Sequence, residues 1–200
     1  MKMKTLMICG LAALALAVPK AGAFEFTGTT SGSGGTLGFN GSGSATVSGL
    51  SYTNGSFDVF NVGSQAFIGG TSSQNLGEFT LTTVNHNYNG TTFSMMVTFT
   101  APPGAGSATY SATISGAVSS HVGGIGVTWT TPTMTFTSSN GVIFTLTVNN
   151  TSVTAGNSSF VTGTINIVGF VPDGGSAVAL LGIALTGIEA GRRLIRARKA

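Results

Sequence analysis

The chain has 200 residues and few charges, since Asp, Glu, Lys and Arg together make up 6% of it. Its formal net charge is +3, but all eight Lys and Arg lie within residues 2–20 and 192–199. The body between these ends, residues 24–170, holds only three charged residues, Glu25, Asp58 and Glu78, and therefore has a charge of −3. Because phosphate binding needs a basic surface, this composition excludes a nucleic-acid partner for the body.

Residues 1–23 have the pattern of a secretory signal peptide. A short basic start precedes an apolar stretch over residues 5–18, and Ala21 and Ala23 supply the small residues of a cleavage site. Signal peptidase is therefore a predicted partner, and cleavage after Ala23 would leave Phe24 as the new N-terminus. The chain's single cysteine lies in the apolar stretch. The mature chain is thus predicted to have no thiol and to be held together without disulfides.

Residues 24–45 are rich in Gly, Ser and Thr and are predicted to form either a weakly ordered lead-in or the first strands of the body. From residue 46 onward, short stretches alternate between apolar and polar residues, and Gly, Pro or Asn-Gly pairs separate them. Val142, Phe144 and Leu146 are spaced two apart, which places them on one face of a strand.

Ten strands are predicted: Ala45 to Tyr52, Phe57 to Val62, Gln65 to Ile68, Glu78 to Asn85, Thr91 to Ala101, Ala108 to Val118, Ile125 to Thr131, Met134 to Thr137, Val142 to Asn149 and Phe160 to Phe170. The Asn-Gly pairs suit tight hairpins because both residues tolerate positive φ. Many short strands at this spacing predict an all-β fold, an antiparallel β-sandwich or a related two-layer fold, with its body over residues 46–170.

The body offers little for catalysis or metal binding. No charged residue occurs between Phe79 and Val171, so a pair of catalytic carboxylates would have to come from the three acids before this stretch. His86 and His121 stand apart in turn-like segments without metal-ligand spacing, and we interpret both as solvated loop residues. We predict a protein that is not an enzyme, with no catalytic residue, metal site or cofactor.

Aromatic residues leave one binding hypothesis open. Trp129, Tyr52, Tyr88 and Tyr110 are the residues with rings suited to stacking on sugars, and the polar strand faces would add hydrogen bonds. Packing in the core is the competing interpretation for each ring. Trp129 alternates with Val127, which favours its burial.

The last thirty residues form a separate block that begins with Val171, Pro172, Asp173, Gly174 and Gly175. This segment ends the preceding strand, since proline lacks an N–H and the glycines favour a turn. An uncharged apolar run over residues 176–188 then predicts a helix of roughly 20 Å, short of the ~30 Å hydrocarbon core unless long side chains extend it. A basic anchor follows, which the positive-inside rule places in the cytoplasm: Arg192, Arg193, Arg196, Arg198 and Lys199.

A short motif, a weak membrane helix and an Arg-rich end, in this order at the C-terminus, resemble the PEP-CTERM class of sorting signals. The form Val171 to Gly175 is similar to the VPDSG variant of that class, which has Ser where this chain has Gly174. The resemblance covers residues 171–200. It implies transient anchoring in the inner membrane and recognition by an exosortase, a membrane-embedded enzyme that processes the tail near the motif, so that the body reaches the cell surface or the extracellular matrix.

Three interpretations follow. The first is an exported, non-enzymatic surface or extracellular-matrix protein. The second is a carbohydrate-binding module that the same tail delivers to an extracellular polysaccharide. The third is a stable single-span membrane protein with an outward β domain, which requires the tail to persist. Self-association is a further hypothesis, because the predicted edge strands hold hardly any Lys to oppose edge-to-edge pairing.

Overall fold

The computed structural model describes residues 23–32, 45–171, 181–189 and 192, and for residues 45–47 only the backbone. Fifteen strands are found in these ranges: β1 (Glu25–Gly32), β2 (Ala45–Val47), β3 (Leu50–Thr53), β4 (Ser56–Phe60), β5 (Gln65–Ile68), β6 (Glu78–Leu81), β7 (His86–Asn87), β8 (Thr91–Ala101), β9 (Ser107–Ser119), β10 (Val122–Trp129), β11 (Thr133–Thr137), β12 (Val142–Val148), β13 (Thr151–Thr154), β14 (Asn157–Phe160) and β15 (Gly163–Phe170).

The strands form three sheets, and the pairings between them are antiparallel. The large sheet has the order β13-β10-β9-β8-β1-β4, with β7 paired to β9. The tail sheet, which leads into the C-terminal segment, has the order β11-β12-β15-β5, and the small sheet has the order β14-β6-β3-β2. The predicted all-β antiparallel class is therefore confirmed.

Aromatic side chains from the large sheet pack against both smaller sheets and make a two-layer arrangement. Phe93 of β8 lies 4.8 Å from Tyr52 of the small sheet, measured between ring centroids. On the tail-sheet side, Phe144 lies 5.0 Å from both Phe26 and Phe99 of the large sheet. All five rings are at most 5% exposed. The core thus lies between one broad layer and a second layer made of two shorter sheets, in agreement with a sandwich.

The Gly- and Ser-rich segment after Phe24 contains an interior strand of the large sheet. β1 lies between β8 and β4 in the large sheet, with Phe26 fully buried and Thr30 5% exposed. Residues 24–45 were predicted to form either a weakly ordered lead-in or the first strands of the body. The second alternative is correct for Glu25–Gly32, and residues 33–44 lie outside the described ranges. Small residues suit this position because β1 packs closely: a Cβ on Gly28 would stand 2.5 Å from both the Phe57 ring and the backbone of Thr98.

Two predicted strands are divided in the structure, and a third is shorter than predicted. Ala45 to Tyr52 is a hairpin of β2 and β3, turned at Ser48-Gly49, and the predicted strand from Glu78 ends at Leu81. Phe160 to Phe170 breaks after Phe160 into β14 and β15, which belong to different sheets. The alternation of apolar and polar residues cannot reveal that a segment changes from one sheet to another, because each half keeps its own alternation.

The tight turns also differ from expectation. Positive φ at two successive residues occurs at Ser48-Gly49 and Ser120-His121, whereas Asn89 and Asn140 of the Asn-Gly pairs are not at positive φ. The Asn89 side chain instead accepts a hydrogen bond at 2.7 Å from the backbone N–H of Gly116. Asn89-Gly90 and Asn140-Gly141 thus mark turns but not the predicted turn conformation, whereas Asn54-Gly55 connects β3 and β4, which belong to different sheets.

Candidate functional site

The sorting segment begins where the tail sheet ends. β15 finishes at Phe170, and the N–H of the next residue, Val171, donates to the carbonyl of Gly141 at 2.7 Å. The Val171 side chain is 50% exposed. The first residue of the predicted motif is thus held by the body's backbone and still presents its side chain to solvent. The other motif residues, Pro172, Asp173, Gly174 and Gly175, lie outside the described ranges.

Part of the predicted apolar helix is described. Residues 181–189 are helical, and Thr186 Oγ1 donates to the Gly182 carbonyl at 2.9 Å. Leu181, Ile183, Leu185 and Ile188 of this segment are each 58–65% exposed. Within the residues that the structure describes, no helix has both the length and the apolar character needed to cross a membrane. The predicted membrane-spanning helix is therefore not confirmed.

In the basic anchor, Arg192 is helical and exposed. The remaining four members, Arg193, Arg196, Arg198 and Lys199, lie outside the described ranges.

The predicted N-terminus of the mature body lies beside the base of the tail. Ala23 is exposed, and Ala21 and the rest of the predicted signal peptide lie outside the described ranges. The Phe24 ring stands 5.5 Å from the Phe170 ring. The Phe24 carbonyl accepts from the Asn61 N–H at 3.1 Å, while its N–H donates to Asn61 Oδ1. The two predicted processing points, some 147 residues apart in the chain, therefore meet at one end of the body.

The four aromatic residues with a hypothetical role in sugar binding are all in the core. Tyr52, Tyr88 and Tyr110 are 0% exposed, and Trp129 is 4% exposed. The polar atom of each donates to a backbone carbonyl, which fixes the ring: Tyr52 to Leu76 (2.7 Å), Tyr88 to Ser48, Tyr110 to Leu146 (3.0 Å) and Trp129 to Asn149 (3.0 Å). The assignment of sugar contacts to these residues was wrong, because their ring faces pack between the sheets; the expected burial of Trp129 is confirmed.

Because three tyrosines are buried, the stability of the body is expected to fall at alkaline pH. Burial raises the pKa of Tyr52, Tyr88 and Tyr110 above the ordinary value of 10.0, and a hydrogen bond from Thr30 partly offsets this at Tyr52. Above pH 10 the unfolded chain releases phenolic protons that the folded chain retains. The free energy of unfolding should therefore be at its full value below pH 10 and fall as the pH rises further.

Absorbance of the phenolate form, followed against pH in native and guanidinium-unfolded protein, would test this expectation. The native protein should show tyrosine ionisation only together with loss of β-sheet circular dichroism. Ionisation of all three tyrosines near pH 10 with the circular dichroism intact would contradict it.

The register brings two acids closer than the sequence suggested. Glu25 faces Phe60 and Asp58 faces Thr27 in the β1–β4 pairing, so the two carboxylates occupy diagonal positions on the outer face. Both side chains are exposed. The third acid, Glu78, lies in the small sheet, where its Oε1 accepts from the Ser158 hydroxyl. Across the described ranges, no three His, Cys, Asp or Glu side chains are grouped so that they could hold a metal ion.

The two histidines are exposed, as predicted, although His86 is a strand residue and not the loop residue that we predicted. His86 lies in β7, with its ring against Tyr88 at 4.7 Å. His121 occupies the β9–β10 turn, where its Nδ1 lies 3.1 Å from the Thr83 carbonyl oxygen. Its N–H donates to Asn85 Oδ1, next to His86. The fold therefore brings the two histidines to one end of the large sheet, which their sequence separation did not indicate.

The structure thus defines an all-β body that is followed, at the end of its last strand, by a segment whose first residue, Val171, is accessible. The comparison with protein families concerns this segment. The family model that is described as "VPDSG-CTERM motif" matches residues 171–195. The chain therefore ends in a VPDSG-CTERM sorting-signal tail, as the resemblance predicted. No curated protein and no solved structure matches the chain.

Proposed function

We propose that this chain is an exported, non-enzymatic protein of the cell surface or extracellular matrix, delivered through its C-terminal tail by an exosortase-type enzyme. The match of residues 171–195 to the sorting motif is the observation that carries the proposal. The structure adds that Val171 is accessible directly after the last strand. A membrane-embedded enzyme can therefore reach the motif without unfolding the body.

The polar surface of the body supports a structural role. Outward positions of the long strand β9 are exposed hydroxyl residues: Ser107, Thr109, Ser111, Thr113 and Ser115. Hydroxyl pairs also join neighbouring strands, as between Thr27 and Thr100, whose Oγ1 atoms lie 2.8 Å apart. Such faces can accept and donate hydrogen bonds to polysaccharide or to another copy of the chain without charge. Catalysis is not part of the proposal, since the two diagonal acids lie on an exposed outer face.

The mass of the chain after export is the decisive measurement. We would express the full gene product in two isogenic hosts, one with and one without an active exosortase, and record intact masses in membrane, surface and medium fractions. The expected result is a chain that starts at Phe24 and ends within Val171 to Gly175, with or without an added group, only when the enzyme is present. In its absence, the tail should remain and the chain should stay in the membrane fraction.

A motif variant and a matched control sharpen the test. Replacing both Pro172 and Asp173 by alanine should reduce processing at least tenfold, roughly the effect of losing more than 1.4 kcal/mol of recognition. Val122→Ala, at an exposed site outside the motif, should leave it unchanged. A chain that ends at Ala200 in both hosts would contradict the proposal and identify a permanently anchored membrane protein instead.

A further inference from the structure

The end of the body where both termini meet carries exposed apolar side chains. Val62, in the turn between β4 and β5, is 88% exposed, and Val168 in β15 is 64% exposed. Phe170 and Val171 are each half-exposed, at 54% and 50%. We call this surface the apolar pole and define it by Phe24, Val62, Ile167, Val168, Phe170 and Val171.

The apolar pole is a concave surface at the open end of the sandwich. A groove of about 290 Å³ is lined by Phe24, Asn61, Gly63, Ser64 and residues 167–170. At the base of the groove, β15 carries a register shift, where Ile167 pairs with Phe144 but Gly169 pairs with Ile143. Val168 lies on the outward face of β15 by the ordinary alternation of the strand, and the Phe170 ring lies beside Phe24. Contiguous exposed apolar surface of this kind marks an interaction site.

The length of the connecting segment limits what can cover the apolar pole. Four residues lie between Val171 and Ser176, where the apolar run begins, so five Cα–Cα steps join the two. Fully extended, they span at most about 17 Å. The polar headgroup region on each side of a bilayer is itself roughly 5–8 Å thick. With the run inserted in a membrane, Phe170 therefore lies within about 10 Å of the headgroups, so the apolar pole is the part of the body closest to them.

Charge decides how such a contact would be made. Residues 24–170 contain no Lys or Arg, and the nearest charged side chain on β1 is the acidic Glu25. Attraction to anionic lipid therefore contributes nothing favourable. Contact with the membrane must come from burial of Val62, Val168 and Phe170, at about 25 cal/mol for each Å² removed from water.

We infer that the apolar pole rests in the headgroup region of the bilayer that holds the tail, and that it orients the body with both processing points at the membrane surface. This inference rests on the proposed function, because it requires the tail to be inserted. The inference goes beyond the proposed function because it assigns a lipid contact to the folded body. The contact does not require anionic lipid, and on zwitterionic lipid it is independent of salt.

Two single-tryptophan additions at exposed valines provide a matched test. Val62→Trp labels the apolar pole, and Val122→Trp labels the β9–β10 turn at the opposite end of the large sheet, where Val122 is 68% exposed. The natural Trp129 is buried and gives a common background. Each full chain, exported by a host without an exosortase, would be reconstituted into phosphatidylcholine vesicles with brominated acyl chains, whose bromine quenches only nearby tryptophan.

Bromolipid should quench the added fluorescence of Val62→Trp at least threefold more than that of Val122→Trp, at low and high salt alike. Equal quenching of the two, in chains that float with the vesicles, would overturn the inference and leave tail insertion intact. Chains that do not float with the vesicles would refute tail insertion and the lipid contact together. An emission shift of Val62→Trp that depends on protein concentration, without quenching, would assign the apolar pole to a second copy and also overturn the inference.

Discussion

Replacing Phe144 by alanine is expected to lower the free energy of unfolding by about 3–5 kcal/mol, the usual cost of removing a buried phenylalanine. Its ring is 0% exposed and lies between the layers, 5.0 Å from both Phe26 and Phe99. It also stacks on Phe136 at 5.4 Å within its own sheet. The variant loses these contacts and leaves a cavity that rigid strands on both sides cannot close.

Denaturant unfolding of the two proteins would measure this loss as a lower midpoint with an unchanged slope. Phe67→Ala is the matched control, because Phe67 lies on β5 of the same sheet with its side chain 64% exposed. Its effect should stay within about 0.5 kcal/mol. Similar losses in the two variants would show that the interface between the large sheet and the tail sheet is not the core described above.

The second large effect is expected at Gly77, where alanine should cost about 3 kcal/mol or more. The backbone has φ of +113°, and a Cβ would stand 2.2 Å from the hydroxyl oxygen of Tyr52. That hydroxyl donates to the Leu76 carbonyl at 2.7 Å and lies 2.9 Å from Thr30 Oγ1. The Tyr52 ring is fully buried, so it cannot move aside without breaking buried hydrogen bonds, which adds to the backbone strain.

Gly63→Ala separates the backbone contribution from the clash. Gly63 also has a positive φ of +68°, but no atom lies within 4 Å of a Cβ there. This variant should lose only about 1–2 kcal/mol, the strain of a left-handed conformation. Thermal and denaturant unfolding of both variants would compare them. If Gly63→Ala is as destabilising as Gly77→Ala, backbone strain alone explains both and the contact with Tyr52 has no separate energetic role.

Thr30, Tyr52 and Leu76 matter for the architecture because they join the layers. Thr30 belongs to β1 of the large sheet, Tyr52 belongs to β3 of the small sheet, and Leu76 lies in the segment before β6. The same segment contacts the C-terminal half of the body, since the Leu76 N–H donates to the Val161 carbonyl at 2.8 Å. Loss of these hydrogen bonds should therefore destabilise the packing of both the N-terminal and the C-terminal half of the body.

Local patterns in the sequence predicted the strands that have a clear alternation. Val142 to Val148 is β12 almost as predicted, since its inward residues are buried and the intervening ones half-buried. Thr151–Thr154 was missed, because Val153 is its only apolar residue. Its pairing with β10 supplies the hydrogen bonds that define it as a strand, and that partner lies some 25 residues earlier. A strand defined by its partner leaves little signal in its own residues.

The sequence by itself determined the sorting tail, the all-β class and the low charge of the body, because these depend on composition, residue order and local periodicity. Only the tertiary structure decided that the four proposed sugar-contacting rings are buried, since burial depends on which sheet covers a face. The tertiary structure alone also brings Phe24 beside Phe170. That meeting follows from β1 pairing with β4 and β8, and from β15 pairing with β5 and β12, contacts between segments far apart in the chain that no local pattern encodes.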